Sequence, residues 1–211
     1  MIPPHTLPAR IIISGLGGQG VILAGCILGR AAALYERTAA TLTRSFGPAA
    51  RGSACSAQLI LDDTLVHYPY VDKPQVLLAL SQQAFEQYAP LLVPGGVLII
   101  DEHLVKPPAA LSGISLYAVP ATRYAEVLGN RQVANSIVVG FFVAVTGLFA
   151  RASVERALRE SVPPGTMGLN LKAFSCGYSH AIKMYGEHHT FSGRFEGKAR
   201  AVQGNKQFKN A

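Results

Sequence analysis

The sequence predicts a three-layer α/β domain: a mainly parallel sheet, helices on both faces, a hairpin insertion and a set of C-terminal helices. Three observations carry that prediction. Short continuous apolar runs, of the kind a strand covered on both faces requires, alternate with helix-like stretches. A glycine cluster follows the first run at the point where a Rossmann-like β-α turn belongs. The chain has 211 residues and is 49% hydrophobic, enough for one sizeable core without a second domain.

Taken in order, residues 10–14 (RIIIS) read as a central strand, and the alanine- and leucine-rich stretch 21–34 as a helix. Residues 38–43 are small and β-branched enough for a second strand, which "FGPAARGS" breaks with turn residues. "ACSAQLILDD" and "TLVHYP" follow as two extended runs around an Asp-Asp turn, most simply a hairpin. Residues 76–80 read as a strand, with Ser81 as the N-cap of the amphipathic run behind it. "PGGVLIIDEHLV" supplies a turn and a buried strand ending at Asp101, and "ISLYAVPATRYAEVLG" reads as strand, then helix. Residues 135–149, 153–161 and 167–185 read as three closing helices, the first a buried apolar one. The predicted domain is 10–186, between a short extension (1–9) and a basic tail (187–211) that carries five Lys and Arg residues against two Glu and lacks apolar periodicity.

Composition excludes several classes. The net charge of +7 would suit a polyanion, but only 15% of residues are charged and no dense Lys/Arg block appears, so nucleic acid is not the expected partner. Cys26, Cys55 and Cys176 are too far apart in sequence for a disulfide framework or for clustered metal-ligand spacing, which fits a reducing cytoplasm. The most apolar run, residues 136–150, is shorter than the roughly 20 residues that span a bilayer, so no membrane association is expected.

The chemistry concentrates in two stretches. Gly15, Gly17 and Gly20 reproduce the G-x-G-x-x-G spacing between strand and helix, where free amides and the helix dipole favour an anion; Gly18 and Gln19 complete the turn. A nicotinamide or flavin site also needs an acid at the end of the second strand. Here Arg44 and Ser45 stand in that place, an arrangement that admits a 2′-phosphate and hence a standalone NADP-binding reductase. The second stretch runs on through Phe46, Gly47, Arg51 and Gly52, where glycines let the backbone approach and Arg51 can reach a carboxylate or phosphate. His67 has no assignable acid partner, Ser81 lacks the glycines of a nucleophile elbow, and Asn135 and Asn170 read as caps and packing anchors. Lys172 reads equally well as a solvated helix lysine.

Four ordered segments, "GLGGQGVILAGCILGRAA", "RSFGPAARGSACSAQLILDD", "YPYVDKPQVLLALSQQAFEQY" and "NLKAFSCGY", together resemble the gamma subunit of 2-oxoacid:ferredoxin oxidoreductases, the family acting on pyruvate, 2-oxoglutarate and ketoisovalerate. The resemblance spans about residues 10–185 and departs from the family pattern in having Gly52-Ser53 where two glycines usually follow the arginine. It implies a multisubunit enzyme that oxidatively decarboxylates a 2-oxoacid with coenzyme A, yielding an acyl-CoA, carbon dioxide and reduced ferredoxin. It also implies thiamine diphosphate, Mg2+ and iron-sulfur clusters held mainly by alpha and beta subunits, with or without a delta subunit. The chain itself is then expected to lack a catalytic group and to be inactive and prone to self-association when isolated. Its glycine turn and 44–54 loop are expected to cover the coenzyme A side of the active site. The "FGPAARGSACSA" segment looks nearer the 2-oxoglutarate than the indolepyruvate branch.

Overall fold

The computed structural model describes residues 7–49, 51–109 and 111–186; the basic tail and most of the N-terminal extension lie outside the described residues. Six strands form one sheet: β1 (Ala9–Leu16), β2 (Ala39–Phe46), β3 (Ala54–Asp62), β4 (Val76–Ala79), β5 (Val97–Asp101) and β6 (Ser115–Val119), in the order β2-β3-β1-β4-β5-β6. β1, β4, β5 and β6 run parallel, while β3 is antiparallel to both of its neighbours. The helices are α1 (Val21–Arg30), α2 (Gln82–Tyr88), α3 (Ala121–Val127), α4 (Ala134–Thr146), α5 (Arg151–Ser161) and α6 (Met167–Tyr185).

Alternation along β1 divides the core. Ile11 and Ile13 face the larger hydrophobic cluster beneath α1, α4, α5 and α6, and Ile12 faces a smaller one covered by α2 and by Val71 and Val105. The three-layer expectation therefore holds. α1 lies directly on the sheet because Gly25 has no side chain: a Cβ there would come 2.6 Å from the Ala57 Cβ. α4 and α6 touch backbone to backbone by the same device, since a Cβ on Gly140 would meet the Phe174 carbonyl group and one on Gly177 the Ile137 carbonyl group. α4 is buried around nearly its whole circumference, as its composition predicts. Between α1 and β2 the helix loosens into a π-helical turn, Ala31–Glu36. This turn carries the buried Glu36 inward, where its Oε1 accepts the Ala150 amide at 3.0 Å and caps α5.

One element differs from expectation. β3 does not form a hairpin with "TLVHYP"; it pairs backwards with β2 over eight uninterrupted residue pairs, Ala39↔Asp62 to Phe46↔Cys55. Residues 63–75 instead cross the smaller core without regular structure, pinned by Val71, whose amide donates to Gln58 Oε1 at 2.9 Å, and by the Pro69 carbonyl, which accepts from Thr43 Oγ1 at 3.2 Å. His67 thus lies on an exposed loop and not on a strand. The hairpin insertion is β2-β3, and its tip, residues 47–53, is the predicted arginine-glycine loop.

Candidate functional site

The turn after β1 stands at a topological switch point. The crossover from β1 uses α1 on one face and the crossover from β4 uses α2 on the other, so the C-terminal ends of these neighbouring strands bracket a crevice of the kind that binds ligands in open α/β sheets. Here Gln19 bridges the base of the crevice. Its Oε1 accepts the Leu16 amide at 2.6 Å and its Nε2 donates to the Leu80 carbonyl at 2.7 Å, joining β1 to β4. Gly15 makes room for that side chain, because a Cβ would meet Gln19 Oε1 and lie 3.0 Å from the Leu80 Cβ. Gln19 is therefore a structural bridge.

Gly20 ends the turn as the N-cap of α1, with φ +74°, and its missing Cβ leaves space for Asn135, whose Nδ2 would be 2.5 Å away. Asn135 is buried at the start of α4, inside the helix and not at its cap position; its Oδ1 accepts the Ser136 amide at 2.8 Å, and its packing against Gly20 ties α4 to the turn. Asn170 anchors α6 to α4: its Oδ1 accepts from Ser136 Oγ at 2.7 Å and its Nδ2 donates to the Thr166 carbonyl at 3.0 Å. Ser81 is the expected cap, accepting the Ala84 amide at 3.1 Å, and Lys172 is an exposed helix residue.

The structure brings the two predicted stretches together. The tip of the β2-β3 hairpin folds over the glycine turn: the Gly17 amide donates to the Ser53 carbonyl at 2.8 Å, and the Gly52 amide donates to the Gly17 carbonyl at 3.2 Å. Gly52, at φ +76°, turns the chain so that both contacts form. Gly47 closes the base of the tip, where its amide donates to the Ala54 carbonyl at 2.9 Å and a Cβ would lie 2.7 Å from Ser53. The Ser53 hydroxyl folds back onto Ala49, leaving its carbonyl for Gly17, so serine in place of the usual second glycine preserves the backbone contact.

Gly18, at φ +101° with open space where a Cβ would be, lies between two cavities. One, of about 350 Å³, separates the turn from the hairpin and is lined by Gly17, Gly18, Gly20, Ile22, Phe46 and Ser53. The other, of about 300 Å³, is lined by Gln19, Asp101, Thr122, Arg131 and Asn135. Phe46 lines the first cavity and is 66% exposed; Arg44, Ser45 and Arg51 are exposed on the same hairpin but outside that lining, and among the described residues neither arginine has an ion-pair partner. Cys55 reaches the same cavity, and burial pushes its thiol up, which disfavours the nucleophilic thiolate.

The sequence marks Asp101 only as the end of a strand. It is buried, with Oδ2 accepting the Thr122 amide at 2.8 Å and hydroxyl at 2.6 Å, and Oδ1 accepting the His103 amide at 3.0 Å. A carboxylate closing the apolar run VLIID was the available signal. Among the described residues no group of three or more His, Cys, Asp and Glu side chains converges, and the cysteines sit on α1, β3 and α6. The described residues therefore offer no ligand set for a metal ion or an iron-sulfur cluster.

This geometry also overturns the NADP reading of Arg44. In a dinucleotide fold the second strand lies beside the first; here β3 separates β2 from β1, and the turn's Gly17 amide is taken by the hairpin. Comparison with known proteins agrees. Residues 10–180 match the family described as pyruvate ferredoxin/flavodoxin oxidoreductase. The chain belongs to that family. It is 44% identical over 179 residues to the 2-oxoglutarate synthase subunit KorC of Methanocaldococcus jannaschii, covering 83% of this chain and 95% of that one. It is 42% identical to the subunit of the same name from Methanothermobacter marburgensis, over 80% of this chain and 94% of the relative. Among solved structures it resembles the gamma subunit of a keto/oxoacid ferredoxin oxidoreductase from Geobacter sulfurreducens, with TM-score 0.72, 37% identity, and coverage of 83% of this chain and 99% of that one. It also matches the fold of a 2-oxoglutarate:ferredoxin oxidoreductase from Magnetococcus marinus, with TM-score 0.74, 18% identity and coverage of 86% and 32% respectively. The chain is thus a gamma-type subunit of the oxidoreductase family, and no described helix is long and apolar enough to cross a membrane.

Proposed function

We propose that the chain serves a cytoplasmic 2-oxoglutarate:ferredoxin oxidoreductase, in which it holds the assembly together and walls the coenzyme A side of the active site. The observation that carries the site assignment is the closure of the hairpin tip on the glycine turn, which leaves an open cleft bordered by Phe46, on a hairpin whose exposed Arg44 and Arg51 have no ion-pair partner among the described residues. The identity of about two-fifths to KorC subunits supports the substrate.

Thiamine diphosphate with Mg2+ supplies the nucleophile and electron sink, and iron-sulfur clusters carry electrons to ferredoxin; in this reading partner alpha and beta subunits, with or without a delta subunit, hold them. This chain contributes surfaces. Coenzyme A is a polyanion with a long polar arm, and an arginine guanidinium meets a phosphate or carboxylate in a two-pronged hydrogen bond. Arg51, at the apex of the tip, reaches such a group. Ile22 and Phe46 offer apolar walls, and the tight packing of turn and tip excludes water from one flank of the cleft.

The test is recovery of the tagged chain from its native cell, followed by a 2-oxoacid-dependent dye-reduction assay. Co-purification of thiamine- and cluster-binding chains, with reduction that needs both 2-oxoglutarate and coenzyme A, is the expected result. A lone protein that binds NADP stoichiometrically would overturn it.

A further inference from the structure

The two edges of the sheet are built differently. β6 is five residues long, and its outward-facing Ala118 is covered: the Ala118 amide meets the Tyr185 hydroxyl at 3.3 Å and its carbonyl accepts from the same hydroxyl at 3.5 Å. β2 is eight residues long, without proline, lysine or a bulge, and its pairing with β3 is continuous. Natural sheets rarely leave such an edge undefended, because its free amides and carbonyls recruit another strand.

The ladder shows which groups are free. The bond from the Gly47 amide to the Ala54 carbonyl extends the β2-β3 register, and bonded pairs alternate in an antiparallel ladder. Residues 41, 43 and 45 therefore bond to β3, and Ala40, Leu42, Arg44 and Phe46 turn their amides and carbonyls to the open side. Among the described residues these main-chain groups have no hydrogen-bond partner.

We infer that this edge receives an extended, acidic strand from a partner subunit, which continues the six-stranded sheet as a seventh strand. Charge selects the occupant. Residues 39–55 contain Arg44 and Arg51 and no Asp or Glu, and neither arginine is in an ion pair among the described residues. A second copy of the chain would bring the same arginines to an edge that already carries them, on a protein of net charge +7. Alternation places Leu42, Arg44 and Phe46 on one face, so the incoming strand presents a carboxylate alongside Arg44 and an apolar side chain alongside the exposed Phe46. Main-chain bonds supply its affinity and these pairs its specificity.

The inference rests on the reading of the chain as an assembled subunit, and its test keeps the two apart. Amide hydrogen exchange is measured on the full chain alone and in the complex recovered with its native partners. Exchange of the outward amides of residues 40, 42, 44 and 46 slows about tenfold or more in the complex. Arg44→Pro removes one outward donor and the charge while sparing the β3 ladder, and lowers partner recovery about tenfold with little change in the Tm of the isolated chain. Arg44→Lys, which keeps donor and charge, retains recovery, and the unchanged Tm of isolated Arg44→Pro separates lost docking from a folding defect. A recovered complex whose edge exchanges as fast as in the isolated chain overturns the inference and leaves the subunit assignment standing. Slowing that rises with the concentration of the isolated chain overturns it in favour of self-pairing, and failure to recover any complex overturns both readings.

Discussion

The two sides of the glycine turn are built from the same loop and do opposite things. On the β4 side Gln19 bridges the two strands and Asn135 packs against Gly20, so the side chains bordering the cavity there hold strands and helices together. On the β3 side the turn meets the hairpin tip through two backbone bonds and leaves a cleft lined by the exposed Phe46, on a hairpin that also exposes Arg44 and Arg51. A dinucleotide-type turn can thus retain its spacing for packing reasons, and in the proposed reading the ligand-facing role moves to a loop inserted beside it. In that reading the bridged side is a stability element, and the open side a recognition element.

Substitutions separate the two. The largest expected loss is from Gly20→Ala, which must hold a side chain at φ +74° and drive it into Asn135; roughly 2–5 kcal/mol of stability should disappear, read as a fall in denaturant midpoint. Next comes Asp101→Ala, in the lining of the cavity on the Gln19 side, where the Thr122 and His103 amides would lose their acceptor; a loss of about 2–4 kcal/mol is expected in the same measurement. Gln19→Leu fills the same volume without the bridge from Leu16 to Leu80 and should cost about 1–3 kcal/mol. Comparable loss on replacing Phe46 by Ala would break the comparison, because that exposed side chain should change stability by no more than about 0.5 kcal/mol.

The smallest effect is on pH dependence. Burial between α3 and α6 lowers the pKa of His180, against a raising influence from Glu102, while its Nδ1 meets the Tyr124 hydroxyl at 2.9 Å. The unfolded chain therefore binds a proton that the folded chain resists. This contribution to stability is complete above the ordinary histidine range, near pH 6.5, and falls as the pH drops below it. Denaturant midpoints at pH 7.5 and 5.5 should differ less in His180→Gln than in the parent chain.

Much of the architecture was legible in the sequence because it depends on local pattern. Val76–Ala79 and Val97–Asp101 are apolar runs too short for helices, Ser81 caps α2 from the adjacent residue, and the apolar circumference of α4 declares its burial. The partner of β3 was not legible. Asp62-Asp63 has turn chemistry and "TLVHYP" has extended character, but the eight-pair ladder with β2 and the anchoring of Val71 by Gln58 are tertiary effects that override both. In the site, the joining of Gly17 to Ser53 and the assignment of Gln19 to Leu80 depend on residues 36 and 61 positions away, separations that no local spacing encodes. The spacing of the glycines was visible, and the use the fold makes of them was not.

The most direct test of this division is the Michaelis constant for coenzyme A in the assembled enzyme carrying Arg51→Ala, measured beside the Tm of the isolated variant chain. An open-side recognition role predicts a KM raised about tenfold with an unchanged Tm. A lowered Tm with an unchanged KM would show that the hairpin tip serves only to hold the fold together, and would contradict the account.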